Sequence, residues 1–249
     1  MASTVPLTIG ESCVYVRPYD VRLGQVVAEV RSPSKLHRVL DKFLSPGDTF
    51  LDVGANHGTY ALYASHLVSA NGYVEAFEAN PELAECVRQT LGQSAKSPWH
   101  VSEGALGAEE GTAKFYFDQI GSGTGSLFPS FVGSRSRSVE VKLQRLDDLM
   151  RDRELPGRVL MKVDVEGAEL SVLQGAGEFL RKYRPTILFE VNPSSAEVAG
   201  FTVEEILAYL RGVGYERFVD AILIDSNEAS SAPKLDHQGD IVAIWQESA

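Results

Sequence analysis

The sequence is short of three things, and each shortage removes a class of protein. Two cysteines occur in 249 residues, Cys13 and Cys86. They make a single pair without metal-site spacing, which excludes a disulfide scaffold and a cysteine-ligated zinc site and leaves two reduced thiols of an intracellular protein as the expectation. Basic residues are outnumbered: 23 Lys and Arg stand against 34 Asp and Glu, a net charge of −11. A phosphate backbone needs a basic face, so a general nucleic-acid binder is excluded; the small cluster "SRSRS" around Arg135 and Arg137 reads as a solvated loop. No apolar run approaches the roughly 18 residues of a membrane span. The opening "MASTVPLTIGESCVYVRPYD" lacks the basic start and apolar core of a secretion signal. A cytoplasmic protein with no membrane partner follows as the expectation.

What is present, 44% hydrophobic and 23% charged residues, suits one α/β domain over residues 1–249. Residues 1–46 form an N-terminal elaboration. Within it "SKLHRVLDKFL" places Leu36, Val39, Leu40, Phe43 and Leu44 on one helical face. From residue 47 strands and helices alternate. "TFLDVG" is a strand and "GTYALYASHLV" a helix; "GYVEAFEAN" is a strand, "PELAECVRQTL" a helix, and "WHVSEGALG" a strand. "TAKFYFD" and "SVEVKLQRL" read as strands joined by a loop at about 118–138, long enough to be a lid or binding loop. Its Phe128 and Phe131 argue against a purely solvating segment. "RVLMKVDVEG", "AELSVLQGAGEFLRKY", "PTILFEVN" and "TVEEILAYLRGVG" then give strand, helix, strand, helix. The chain closes on two antiparallel strands, "YERFVDAILID" and "DIVAIWQ", across the polar loop "SNEASSAPKLDHQG". The alternation predicts a mostly parallel sheet with an antiparallel C-terminal strand and helices on both faces.

In such a sheet ligands bind beyond the carboxyl ends of the strands, where strand order reverses. "FLDVGANHGTYALYA" falls at that place. Gly54 lets backbone approach a ligand, Gly58 lets the helix start close to the sheet, and the helix N-terminus presents free amides. The spacing is an acid followed by G-x-x-x-G, at Asp52, Gly54 and Gly58, and not the dinucleotide pattern G-x-G-x-x-G. Glu78, ending the next strand, can accept hydrogen bonds from both hydroxyls of a ribose. Glu75, mid-strand, fits an edge or solvent role.

"FLDVGANHGTYALYA", "VEAFEANPE", "ALGAEEGTAKF" and "VLMKVDVEGAELSVLQGA…RPTILFEVN" resemble, in order from about 47 to 192, the FkbM family of S-adenosylmethionine-dependent methyltransferases. The resemblance implies a Rossmann-like class I methyltransferase sheet with S-adenosyl-L-methionine as cofactor. By it, Asp52 lies beneath the methionine part, holding the loop or the cofactor ammonium. Gly54, Ala55, Asn56 and Gly58, with Thr59 and Tyr60 opening the helix, cradle the methionine. Glu78 holds the ribose, and Glu103, Gly104 and Ala105 flank the adenine. Asn56 stands where a third glycine is usual, and asparagine tolerates the left-handed backbone that position needs.

Methyl transfer to a hydroxyl requires the acceptor to be placed and its proton removed. Asp164, following buried "VLMKV" in "KVDVEGAE", is the first candidate, because a carboxylate there needs partners and Lys162 is near in sequence. Glu166 is as well suited to capping as to substrate contact. Glu169 reads as a favourable charge at a helix N-terminus. His57 is a second candidate base; His37, His66, His100 and His237 read as surface or packing residues. A Mg²⁺ held by Asp164, Glu190 and Asn192 at neighbouring strand ends is the less favoured reading. The family implies a small-molecule acceptor such as a sugar or polyketide hydroxyl, as in secondary metabolism, and a homodimer is compatible with it. A nicotinamide-dependent oxidoreductase or a non-catalytic cofactor-binding protein on a similar sheet are the rivals. The missing G-x-G-x-x-G speaks against the first, the intact acids and glycines against the second.

Overall fold

A computed structural model describes residues 4–32, 34–132, 136–225 and 237–245. The chain opens with a hairpin, β1 (Val5–Ile9) and β2 (Ser12–Val16), and two helices, α1 (Leu23–Arg31) and α2 (Lys35–Phe43). It continues as β3 (Thr49–Val53), α3 (Thr59–Val68), β4 (Tyr73–Glu78), α4 (Pro81–Ser94) and β5 (Trp99–Glu103). A smaller sheet follows from β6 (Ala105–Leu106), β7 (Gly111–Asp118) and β8 (Ser136–Gln144), then α5 (Leu146–Met150). The second half runs β9 (Val159–Val163), α6 (Glu169–Gln174), α7 (Gly177–Tyr183), β10 (Thr186–Val191), α8 (Pro193–Ala199), α9 (Val203–Val213), β11 (Tyr215–Asp220) and β12 (Gly239–Trp245).

The large sheet has the order β11-β12-β10-β9-β3-β4-β5. Strands β10, β9, β3, β4 and β5 are parallel, and β12 runs antiparallel between β10 and β11. This is the mostly parallel sheet that the alternating pattern predicts and the Rossmann-like class I architecture that the resemblance implies. The two central strands, "TFLDV" and "VLMKV", are buried at every position, as strands covered on both faces must be. Two large hydrophobic clusters flank them, one around Met161, Leu173 and Phe189 and the other around Leu40, Phe50 and Leu91. Among the described residues no helix is long and apolar enough to cross a membrane.

Local sequence sets the helix starts. Ser34 caps α2 by accepting from the Leu36 amide, and His37 Nδ1 accepts from the Ser34 amide at 2.9 Å, doing the work a glutamate does in most capping boxes. Asn80 caps α4 with Pro81 at its first turn, the position where a missing N–H costs nothing.

Several expectations change. Residues 4–31 contain a hairpin and a helix that apolar periodicity did not resolve. "AELSVLQGAGEFLRKY" is two helices, broken at Gly175, where a Cβ would lie 1.9 Å from the Gly107 carbonyl. "WHVSEGALG" breaks at Gly104 (φ +138) into β5 and β6. α5 and α8 are additional short helices. Glu75 is fully buried, accepting from Tyr73, His100, Ser102 and Arg153, so its edge or solvent role is corrected to that of a buried network centre. Cys13 and Cys86 are unpaired. Arg135 and most of the loop 226–239 lie outside the described residues.

Strand order reverses between β3 and β9. Their ends are joined by the Asp164 amide donating to the Val53 carbonyl at 3.0 Å. At Gly54 (φ +83) a Cβ would lie 1.9 Å from the Asp164 carbonyl oxygen. The glycine is therefore required by the neighbouring strand's backbone, which corrects the expectation that it makes room for a ligand. Gly54→Ala is expected to destabilise the protein by at least about 3 kcal/mol, combining strain with displaced backbone. Gly10→Ala, at φ +62 with nothing within 4 Å, should cost about 1–2 kcal/mol. Urea denaturation of both variants checks this; equal midpoints would remove the backbone contact as the reason for Gly54.

Candidate active site

The turn after β3 is built from three left-handed residues, Gly54, Asn56 (φ 54) and Gly58 (φ 76). The Gly54 and Ala55 amides both donate to the Phe77 carbonyl, folding the turn over the end of β4. At Gly58 a Cβ would meet Val87 of α4 at 3.1 Å, so this glycine lets α3 start close to α4. Glu78 completes the turn: its Oε2 accepts from the Asn56 amide at 2.7 Å and its Oε1 from the Asn80 amide at 2.8 Å. Burial pushes this carboxyl up to about 7, against the pull of those two amides. Each oxygen keeps a lone pair for a further donor.

Lys162, on the central strand β9, reaches three oxygens: Asp52 Oδ1 at 3.3 Å, Asp164 Oδ2 at 3.2 Å and the Gly54 carbonyl at 3.3 Å. Burial disfavours its charge, but Asp164 and Asp52 more than reverse this and hold the ammonium above its ordinary range. Burial pushes the Asp52 carboxyl up, and the ammonium opposes that push. Asp52 is fully buried and does not reach the cavity wall. Of the two roles expected of it, holding the loop is the one its position allows.

A cavity of about 820 Å³ opens at the switch point, a size suited to a nucleoside-sized ligand. Gly54, Ala55, Asn56, His57, Thr59 and Tyr60 form one side and Glu78 and Asp164 stand on its wall. Thr59 Oγ1 donates to Glu29 of α1 at 2.7 Å, and burial pushes the Tyr60 hydroxyl up to about 12. Beyond Glu78 lies an apolar slot of Ala79, Ala105, Leu106, Phe115, Phe117 and Leu127. Gly104 and Ala105 border this slot, as expected, but Glu103 does not. It is exposed at the end of β5, before the break at Gly104, and pairs with Arg88 at 2.9 Å.

The segment 119–132 straps the cavity. The Val21 amide donates to the Ile120 carbonyl at 2.7 Å, Asn56 Nδ2 to the Ser122 carbonyl at 2.9 Å, and Ser126 Oγ to the Glu166 carbonyl at 2.7 Å. Phe128 and Phe131 pack edge to face over Gly167. The expected long loop is therefore folded onto the site.

At the strand ends, one oxygen each from Asp164, Glu166 and Glu190 lies within 4.8 Å of the others. Glu166 is held left-handed (φ 52). Burial, then Glu190, Asp164 and Glu169, push its carboxyl up to about 8; burial and Asp164 also raise Glu190. Asn192 caps α8 by accepting from the Ser195 amide, so the acidic group is completed by Glu166 and not, as expected, by Asn192. Glu169 accepts from the Gly167 and Val165 amides, the capping role assigned to it. His57 is 2% exposed and lies beside Asp20, with burial lowering its pKa to about 4.

Sequence reasoning missed the contribution of α1, through Arg22 and Glu29, and of Gln238 and Asp240 around β12. The alternation Phe115-x-Phe117 was the available sign that one face of β7 meets the cavity.

The arrangement fits an adenosine-containing cofactor: an apolar slot, a carboxylate with spare lone pairs beside it, and a buried hydroxyl on the lining residue Ser122 without a hydrogen-bond partner among the described residues. Hexuronic acid methyltransferase AglP of Haloferax volcanii is 28% identical over 152 residues, covering 60% of this chain and 58% of that protein, less than two thirds of its length. The 31-O-demethyl-FK506 methyltransferase FkbM of Streptomyces tacrolimicus is 25% identical over 199 residues, 69% of this chain and 74% of that one. The solved structure of methyltransferase FkbM from Methylobacillus flagellatus KT aligns with a TM-score of 0.49 at 12% identity, over 90% of this chain and 54% of that one. Residues 52–217 match the methyltransferase FkbM domain, and the chain belongs to that family.

Proposed function

We propose that the protein is an S-adenosylmethionine-dependent O-methyltransferase acting on a hydroxyl of a small metabolite. The observation that carries this reading is the placement of Glu78 and Asp164 at the ends of strands on either side of β3, on the wall of one cavity. S-adenosylmethionine, when bound, supplies an electrophilic methyl group. Glu78 accepts from the ribose hydroxyls with the lone pairs its backbone contacts leave free, and the slot beyond it encloses the adenine. Asp164, fixed by Lys162, orients the acceptor hydroxyl, and Glu166 takes its proton. A carboxyl raised to about 8 matches that task near neutral pH. The names of the Haloferax and Streptomyces relatives, a hexuronic acid methyltransferase and a 31-O-demethyl-FK506 methyltransferase, support a small-molecule acceptor. The carboxylates do this work without a metal.

Calorimetric titration with S-adenosylhomocysteine tests the reading. Glu78→Ala should weaken binding by roughly one to two decades, the worth of about 1.5–3 kcal/mol for hydrogen bonds to a charged acceptor; unchanged affinity would displace the cofactor from this site. Wild-type affinity should also fall as pH drops through about 7, because protonated Glu78 loses acceptor capacity. Affinity flat between pH 5.5 and 8.5 would contradict the assigned contact.

Asp164→Asn and Glu166→Gln should each lower turnover about 10²–10⁴-fold while largely keeping S-adenosylhomocysteine affinity. Wild-type turnover should rise through about pH 8, as Glu166 ionises, and be insensitive to EDTA. Activity lost in EDTA and restored by Mg²⁺ would instead make the three acids a metal site.

A further inference from the structure

Asp20 is a buried carboxylate at the meeting point of three parts of the molecule. Its Oδ2 accepts from Arg17 Nη2 at 2.9 Å and Nε at 3.3 Å; its Oδ1 accepts from the Arg22 amide, which opens α1, and from the Ser122 amide in the strap at 3.3 Å. His57, inside the cofactor turn, brings Nε2 to 3.6 Å from Oδ2. Arg17, Asp20, His57 and Ser122 are all more than nine-tenths buried. Yet Arg17 Nη1, His57 Nε2 and Ser122 Oγ have no hydrogen-bond partner among the described residues. A buried polar group normally has one. Polar atoms left over on the wall of a cavity, as on His57 and Ser122, point to a site that tightens round a ligand.

We infer that Asp20, held by Arg17, is a positioning residue for His57: it faces the imidazole Nε2–H and leaves Nδ1 as an acceptor for a hydroxyl or ammonium of the nucleoside cofactor. The inference rests on the cofactor reading above. A neutral imidazole carries one N–H, and the partner of one nitrogen fixes the role of the other. The opposite tautomer would set the Nε2 lone pair against a buried carboxylate. Burial works against the charge on Asp20, but the Arg22 amide and the Arg17 guanidinium hold its carboxyl below the ordinary value, so the tautomer is imposed across neutral pH. His57 lies between Asn56 and Gly58 and its ring lines the cavity. An acceptor at that place recognises hydrogen-bond donors. Besides the adenine amine, which the reading above places in the slot beyond Glu78, the cofactor offers two kinds, the ribose hydroxyls and the amino-acid ammonium. The segment preceding the sheet thus reaches the cofactor through a residue of the turn.

Nitrogen-15 NMR of the histidine rings in the unmutated, ligand-free protein reads the tautomer directly and needs no variant to fold. The expected result is a neutral His57 protonated at Nε2. Asp20→Asn should produce the Nδ1–H tautomer or a mixture, a change that loss of mere packing does not cause, and should weaken S-adenosylhomocysteine binding about five- to tenfold. His57→Phe should weaken it similarly, covering the case in which Asp20→Asn does not fold. If the loss persists with 5′-methylthioadenosine, which lacks the ammonium, the donor is a ribose hydroxyl; if it vanishes, the donor is the ammonium. A wild-type His57 protonated at Nδ1, or affinities within twofold of wild type in both variants, overturns the proposal. Wild-type protein with the expected tautomer that binds no S-adenosylhomocysteine overturns the cofactor reading and the ligand half of this one. Protein that binds it with Nδ1 protonated overturns the proposal alone.

Discussion

Lys162 places a positive charge on a central strand buried at every position, and Asp52, Asp164 and the Gly54 carbonyl keep it there. Taking an ion out of water costs several kcal/mol even after relaxation, so the three oxygens are obligatory once the lysine is buried. Two of them belong to the end of β3 and its turn, the third to the residue after β9. The ammonium therefore fixes the cofactor turn and the principal carboxylate relative to one another. Burial first, and then the neighbouring carboxylates, raise Glu166 and Glu190 beside that carboxylate.

How much of this was legible depends on the range of the interactions. The parallel sheet, the acid and glycines of the turn, Glu78 and Asp164 were readable because each sits at a strand end in a local pattern. The left-handed Asn56 was readable for the same reason. Glu103 was misjudged because the chain breaks at Gly104 (φ +138), and no local pattern showed that the residues on either side of the break part company. The reason for Gly54 was misjudged because the contacting carbonyl belongs to a strand 110 positions away in sequence, like the partners in the Lys162–Asp52 pair. Asn192 offered the correct chemistry at the correct strand end, but a following proline and helix claimed its side chain as a cap. The break in the expected helix "AELSVLQGAGEFLRKY" was not legible because the carbonyl that crowds Gly175 belongs to Gly107, distant in sequence.

The N-terminal region shows the limit most clearly. Helix α1 and the strap have little apolar periodicity, since they cover a cavity more than they build a core, while the hairpin buries Val14 and Val16 in the core. Their order comes from buried polar contacts at Asp20 and Asn56, and no spacing rule in one sequence announces such contacts. The aromatic pair Phe128 and Phe131 was a usable sign because apolar area in a long loop must find cover. It found it on the turn that carries Glu166 and Gly167.

The three-stranded sheet and strap enter the chain between β5 and β9, and the register of β3 against β9, Thr49 beside Val159, does not depend on their length. Lengthening such an insertion costs little, since doubling a flexible loop adds only about 0.6 kcal/mol of closure entropy. The cofactor half and the segment covering it are thus separable inheritances: descent can lengthen, shorten or redecorate the cover while the paired strands and their buried ammonium stay as they are. One scaffold can in this way be handed from one acceptor to another without being rebuilt.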